Sequence, residues 1–169
     1  CFAIEGPKAA GPGPAVSFTG APGYRIYGTA GSGLVKATLE DAEAARIMHF
    51  KPRDGHDITD RTLPQETQQR NTAWQVKKGC YLGQEIVERV RSRGRVNRLI
   101  VGFSGESDSA PAAGAKVVYE GKEDGEVTSS TVVDGKVYGL AIVRSQIAIP
   151  GTLIGIEGRP MTLAAPWGA

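Results

Sequence analysis

The sequence predicts an α+β protein that ends in a small antiparallel β-barrel. Two observations point to this class: the first half mixes strand-like and helix-like segments, and beyond Arg98 the apolar residues recur with a period of two. The 23 glycines and the aromatic content of only 7% favour many short elements joined by turns. We therefore expect three segments, residues 1–76, 77–97 and 98–169, of which the last is the barrel.

The first segment is predicted to contain two strands. Residues 1–14 hold three prolines and three glycines with little periodicity, which indicates a loop. Strand candidates at residues 16–19 and 24–27 are separated by turn residues. This arrangement predicts a hairpin or two neighbouring strands.

A helix is predicted after these strands. Thr38 and Asp41 have the spacing of a capping box, and apolar residues recur at helical spacing from Leu39 to Phe50. The helix must end before Pro52, because a proline disfavours the helical conformation in the residue that precedes it. We expect the helix to pack on the strands of the first segment.

Residues 53–74 are polar and irregular, and they predict a loop. His49 and His56 lie near carboxylates but lack metal-ligand spacing, so no metal site is predicted. Cys1 and Cys80 are too few for a disulfide framework, and they favour a reducing, cytoplasmic setting. No apolar run approaches the roughly twenty residues that a membrane span requires, so no membrane partner is expected.

The central stretch, residues 77–94, carries a thiol on a predicted turn. Gly79 and Gly83 bracket Cys80 and allow a tight loop. A short helix is predicted from Gln84, with Gly94 just after its end. Its apolar face is predicted to consist of Ile86, Val87 and Val90.

Two interpretations of Cys80 remain open. The helix start that follows it and the neighbouring Lys77 and Lys78 favour the thiolate, which is the reactive form. Alternatively, Cys80 is a small apolar residue that fills a gap beneath the loop and is chemically inert.

Beyond Arg98 the sequence predicts five or six short strands at regular intervals, which is the pattern of a small barrel or sandwich. Asp134 and Gly135, between two apolar runs, predict a two-residue hairpin. The strand candidates are residues 99–103, 115–119, 127–133, 136–143, 152–156 and 160–164.

The central stretch also carries the most specific resemblance in the chain. Residues 78–85 match all seven fixed positions of the Lys-Gly-Cys-Tyr-x-Gly-Gln-Glu signature of YgfZ-type folate-binding proteins, which are relatives of the glycine-cleavage T-protein, an aminomethyltransferase. The seven motif residues are Lys78, Gly79, Cys80, Tyr81, Gly83, Gln84 and Glu85. The resemblance runs from about Val16 onward and corresponds to the later part of a family member, without its N-terminal domain.

The resemblance implies a partial T-protein-like α+β domain followed by a β-barrel. It also implies tetrahydrofolate as the cofactor of the intact protein, a role in iron–sulfur enzyme maintenance and tRNA modification, and Cys80 as the catalytic residue. Folate, tRNA and an iron–sulfur protein are the partners that it suggests.

Two further stretches resemble the folate side of the family. Residues 19–24 are similar to the Thr-Gly-Glu-x-Gly-Tyr stretch of the T-protein, whose glutamate holds the pterin ring, but Ala21 stands at that position here. Residues 61–66 resemble a run beside the active cleft, so Tyr24 and Glu66 are the expected folate-binding residues. A surface salt bridge is the alternative role of Glu66. Residues 46–52 resemble Arg-Ile-Glu-x-Gly-x-Pro, with Phe50 in place of the glycine.

Positive charge is concentrated in the centre of the chain, where residues 77–98 contain seven basic and two acidic side chains. Such a patch can neutralise the phosphates of tRNA or bind the polyglutamate tail of folate. The alternative is a solvated helix end whose cations complement the helix dipole. The expected polyanion-binding residues are Arg89, Arg91, Arg93 and Arg95, with Arg98 nearby.

Three functions follow. The first is a tetrahydrofolate-binding accessory protein of the YgfZ type, favoured by the cysteine signature. The second is an aminomethyltransferase that transfers a one-carbon unit to tetrahydrofolate. The third is an RNA-binding or interaction module with an inert Cys80, which would rest on the arginines and the barrel alone.

Overall fold

The computed structural model describes residues 2–6, 9, 11, 15, 17–27, 33–69 and 79–165, apart from the side chains at positions 2, 91 and 93. These residues form a two-stranded sheet, two α-helices, a 3₁₀ helix and a six-stranded barrel. The architecture agrees with the α+β class that the sequence predicts.

The barrel is closed and antiparallel, as predicted. Its strands are neighbours in the order β3-β6-β5-β4-β7-β8, and β8 pairs with β3 to complete the circle. No α-helix follows residue 100 in the described part of the chain. The strands are β3 (Arg98–Glu106), β4 (Lys116–Tyr119), β5 (Lys122–Val133), β6 (Lys136–Arg144), β7 (Leu153–Ile156) and β8 (Arg159–Ala164).

The barrel interior is filled by alternate residues of its strands, because successive side chains of a strand point to opposite faces. Phe103 is the largest of them and is fully buried. Its ring lies over Gly139 of the neighbouring strand, where an added Cβ would be 2.1 Å from the ring. The missing side chain at position 139 therefore gives the Phe103 ring its space.

Local sequence explains how the longest barrel strands meet. Asp134 and Gly135 connect β5 to β6 with φ of 51° and 72°, the left-handed pair that a type I′ hairpin requires, so this turn is confirmed. Thr128 has no partner in the β5–β6 register, which shifts between Val127 and Ser129. This bulge lets two consecutive residues, Thr128 and Ser129, reach toward the same group outside the barrel.

The N-terminal sheet differs from the prediction. It pairs β1 (Phe2–Glu5) with β2 (Gly23–Ile26), so the loop predicted over residues 1–14 contains a strand. Residues 17–19 are not a strand, because the Glu5 carboxylate accepts hydrogen bonds from the backbone N–H groups of Phe18 (2.6 Å) and Thr19 (2.9 Å). Burial alone would raise the pKa of Glu5, but these bonds outweigh it and the pKa is lowered.

The predicted helix α1 spans Leu39–Met48, and its capping box is present. Thr38 Oγ1 accepts from the backbone N–H of Asp41 at 3.0 Å, and Asp41 accepts from the backbone N–H of Thr38 at 2.8 Å. The expectation that α1 packs on the first strands is wrong, since it packs against β5 and β6 of the barrel. Its buried face carries Arg46 and Ile47, and Arg46 reaches the barrel directly.

Phe50 ends this region in a left-handed conformation, with φ of 53°. It stands where the family pattern has glycine, the residue that adopts this conformation without strain. The Phe50 ring lies against Gly102 of β3, where a Cβ would be 2.3 Å from the ring, and its centroid is 6.4 Å from that of Tyr138. Packing on the outside of the barrel holds Phe50 in this conformation.

A buried ion pair joins α1 to the barrel. Arg46 Nη1 donates to Asp57 Oδ2 at 2.8 Å, and both side chains are almost completely buried. The Asp57 carboxylate also accepts from the backbone N–H of Arg53 at 2.9 Å, from Ser129 Oγ at 2.7 Å and from the Thr128 hydroxyl. These four hydrogen bonds, one of them from the Arg46 guanidinium, offset the cost of burying the Asp57 carboxylate.

We predict that Arg46→Met lowers the free energy of unfolding by about 3–5 kcal/mol, because it leaves the Asp57 charge buried without its counter-ion. Urea unfolding followed by circular dichroism measures the loss. The matched control is Arg53→Met, which removes an exposed ion pair with Glu43 and is expected to cost less than about 1 kcal/mol. Equal losses in the two variants would contradict the role of the buried pair.

Candidate functional site

Cys80 lies on an irregular turn directly before α2 (Gln84–Arg93). Gly83 is the N-cap residue with φ of 86°, so the turn needs its glycine, and the backbone N–H of Gln84 donates to Tyr81 O at 3.2 Å. Cys80 is exposed and free, and Leu82 is fully exposed rather than folded over the sulfur. The thiol is therefore accessible, while Lys77 and Lys78 fall outside the described residues.

The predicted apolar face of α2 needs correction. Val87 is buried, but Ile86 is 61% exposed. The reason is that α2 packs on a narrow support, a 3₁₀ helix at Pro64–Thr67, which covers only the Val87 side. Gly94 ends α2 with φ of −94°, so its backbone is not in the left-handed conformation. A glycine fits here because the backbone of Val90 is close: a Cβ at position 94 would lie 2.8 Å from Val90 Cα.

The 3₁₀ helix places Glu66 in the interior beside β3. Glu66 Oε2 accepts from the backbone N–H of Leu63 at 2.9 Å, and Oε1 lies 3.6 Å from Nε of Arg98. The carboxylate is almost completely buried, whereas the Arg98 side chain is half exposed. An ion pair is present, as the alternative role of Glu66 anticipated, but its acidic member is buried.

Two glutamines that the sequence analysis missed fix the 3₁₀ helix to its neighbours. Gln65 Nε2 donates to Val87 O of α2 at 2.9 Å, and Gln68 Nε2 donates to Ile100 O of β3 at 2.7 Å. The two side chains therefore join α2 to the barrel through this short helix. Their spacing has no motif that sequence inspection would single out, because both partners are backbone carbonyl groups at least 22 residues away.

Tyr24 is placed by a different part of the chain. It lies on β2, paired with Ile4 of β1, and its ring is close to Gly11, where a Cβ would be 2.2 Å from the ring. Ala21 precedes β2 and is buried. The contacts of β2 are with β1 and those of α2 are with the 3₁₀ helix, so different supports position Tyr24 and Cys80.

The described part of the pterin-binding pattern does not fit folate. The methyl group of Ala21 cannot accept the hydrogen bonds that a glutamate offers to a pterin edge. The nearby Glu5 carboxylate is engaged with its own loop, since residues 18 and 19 donate three hydrogen bonds to it. A complete pterin site therefore requires groups beyond those that the structure describes.

Surface charge and apolar side chains meet around α2. Arg89 and Arg95 are exposed, while the side chains of Arg91 and Arg93 are outside the described set. At the opposite end of the helix, residues 81–86 and Glu88 line an open pocket of about 580 Å³, in which Leu82 and Ile86 are exposed.

The described His, Cys, Asp and Glu side chains form no group that could hold a metal ion. Within the same residues, no helix has the length and apolarity needed to cross a membrane.

Comparison with curated proteins finds two kinds of relative, although no family model matches the chain. The aminomethyltransferase of Rippkaea orientalis is 36% identical over 122 residues, which are 69% of this chain and 31% of that protein. The tRNA-modifying protein YgfZ of Yersinia enterocolitica is 31% identical over 103 residues, 57% of this chain and 31% of that protein. The aminomethyltransferase of Shouchella clausii is 26% identical over 165 residues, 88% and 45% of the two chains.

This chain thus spans between 31% and 45% of the length of these relatives. Among solved structures, the glycine cleavage system aminomethyltransferase T of Bartonella henselae has a TM-score of 0.64 and 23% sequence identity. The superposition covers 76% of this chain and 37% of that one. The likeness supports the predicted fold, an α+β part followed by an antiparallel barrel.

We predict that Cys80 reacts with iodoacetamide in the folded protein at a rate within about threefold of the denatured protein, because the turn leaves its sulfur exposed. Mass spectrometry of the Cys1→Ser variant follows the reaction at a single thiol. The Cys1→Ser/Cys80→Ser double variant is the control and should remain unlabelled. Labelling that appears only after denaturation would show that the thiol is covered and would support the inert interpretation.

Proposed function

We propose, from its place in the T-protein-like superfamily beside aminomethyltransferases and YgfZ, that this chain is part of a tetrahydrofolate-binding accessory protein of the YgfZ type. The intact protein would act in iron–sulfur enzyme maintenance and tRNA modification. The single observation that carries the proposal is the cysteine signature, residues 78–85, whose Cys80 lies exposed on the turn before α2.

The chemistry of the turn supports a reactive role for Cys80. A thiolate is a strong nucleophile, and an exposed sulfur four residues before a helix can meet an electrophile in solution or on a partner. Gly83, with φ of 86°, allows the sharp change of direction between the turn and the helix, and Cys80 is exposed on this turn. Glu85, in the first turn, interacts favourably with the positive end of the helix dipole and so stabilises the start of α2 rather than the thiolate.

Tyr24 and Glu66 keep their proposed roles in folate binding, but in different ways. Tyr24 would contribute an aromatic face for stacking. Both oxygens of Glu66 already face protein donors, so Glu66 would act by holding Arg98 toward the anionic part of the ligand. The pterin itself would be held mainly by residues outside this chain, because Ala21 and Glu5 do not supply the necessary acceptors.

The second candidate is an aminomethyltransferase. It is favoured by the 36% identity to the Rippkaea orientalis protein, which exceeds the 31% identity to YgfZ. Ala21 argues against it, because the residue at this position in the T-protein pattern is the glutamate that holds the pterin.

The test of the YgfZ-type proposal is a measurement of folate binding by a protein of the relatives' full length that carries this segment. The comparison is its Cys80→Ser variant. Normal tRNA modification and iron–sulfur enzyme activity in cells that carry only the Cys80→Ser variant would contradict it.

We predict that the 169-residue chain binds tetrahydrofolate with a Kd weaker than about 1 mM, because a buried heterocycle needs polar groups converging from several elements. Isothermal titration calorimetry gives the affinity, with Glu66→Gln as the comparison variant. Micromolar binding that Glu66→Gln abolishes would instead mean that this chain contains a complete folate site.

We predict that replacing Arg89, Arg91, Arg93 and Arg95 with serine weakens tRNA binding at least about tenfold at 50 mM salt, since each phosphate contact releases counter-ions. Filter retention across a salt series measures the affinity. The matched control removes four cations from the barrel, Lys116, Lys122, Lys136 and Arg144, and should change retention little. Equal losses would indicate a response to net charge alone, and unchanged retention in the arginine variant would exclude this patch.

A further inference from the structure

Helix α2, which carries the Cys80 turn at its start, is held by a small support. Among the described elements, its extensive contacts are those with the 3₁₀ helix Pro64–Thr67, which in turn contacts β3 of the barrel. Among the described side chains of α2, Val87 is the buried one, and its backbone oxygen accepts the hydrogen bond from Gln65. The position of α2 therefore depends on the packing of Val87 and on its hydrogen bond to Gln65.

Only the N–H group of the Gln65 side-chain amide makes a hydrogen bond within the described part of the chain. Its Nε2 donates to Val87 O at 2.9 Å, but its Oε1 is buried and has no hydrogen-bond partner among the described residues. A buried acceptor without a partner is unfavourable, and a methionine of similar shape would not carry this cost. The physical reason for an amide at position 65 is thus its N–H group, which holds the Val87 carbonyl.

Backbone hydrogen bonds carry this contact to the thiol. The N–H of Val87 donates to Gly83 O at 3.3 Å, and the N–H of Ile86 donates to the same oxygen at 3.2 Å. Two residues before Ile86, the N–H of Gln84 donates to Tyr81 O at 3.2 Å. The first turn of α2 and the turn containing Cys80 therefore form one hydrogen-bonded unit, which Gln65 fixes at Val87.

We propose that Gln65 is a positioning residue for Cys80, acting through the Nε2–Val87 O hydrogen bond that holds α2 against the 3₁₀ helix. The proposal rests on the proposed function in one respect, since it takes Cys80 as the reactive residue. Gln65 itself does not contact the thiol; it sets where the turn lies relative to the barrel.

Hydrogen–deuterium exchange and Cys80 alkylation test the proposal in the Cys1→Ser background of the full 169-residue chain. Gln65→Met keeps the size of the side chain and removes the donor, and Gln65→Glu keeps the shape but places an acceptor opposite the Val87 carbonyl. Both variants should raise amide exchange over residues 84–90 at least about tenfold while exchange in β6 stays unchanged. The rate of Cys80 alkylation at one fixed pH should move further toward that of the denatured protein in both variants.

Gln146→Met is the matched control, since it makes the same substitution at an exposed position on the turn after β6 and should leave exchange in α2 within about twofold of the parent. Unchanged exchange over residues 84–90 in a folded Gln65→Met variant would overturn the proposal. Faster exchange with an unaltered rate of Cys80 alkylation would also overturn it, because Gln65 would then only stabilise α2. Neither readout involves folate or tRNA, so failure of the proposed function would be seen separately.

Discussion

The buried pair of Arg46 and Asp57 is the constraint on which the arrangement of the first half of the chain depends. Burial alone would lower the pKa of Arg46, but its bonds to Glu43 and Asp57 outweigh burial and the pKa is raised. The charged form of Arg46 is therefore retained in the interior. Because the donors to Asp57 come from α1, the following turn and β5, one carboxylate fixes three parts of the chain together.

The candidate site is held by a series of contacts that starts at the barrel. Gln68 and Arg98 bind the 3₁₀ helix to strand β3, and Gln65 binds α2 to the 3₁₀ helix. Cys80 lies at the far end of this sequence of contacts and is exposed. An exposed thiol before a helix with a small support can adjust to a partner, whereas the closed barrel stays fixed.

The sequence predicted what local patterns determine. The Thr38–Asp41 capping box, the hairpin at Asp134 and the barrel strands each depend on neighbouring residues, and all were confirmed. It did not predict β1, in which the Glu5 carboxylate accepts hydrogen bonds from residues 18 and 19. It also did not predict that α1 packs on the barrel. Asp57 and Gln65 were also missed, because their roles come from partners distant in sequence: Ser129 lies 72 residues from Asp57. The chemical role of Cys80 stays a prediction.

The bulge in β5 has a consequence for how this chain can be recombined with its relatives. Regular strand geometry would turn the side chains of positions 128 and 129 to opposite faces, and the unpaired Thr128 is what brings two adjacent hydroxyl groups to Asp57. A chimera that joined residues 1–97 of this chain to a barrel without the extra residue would leave one carboxylate oxygen short of a donor. The extra residue of β5 and the carboxylate outside the barrel therefore have to be kept together when such a chimera is built.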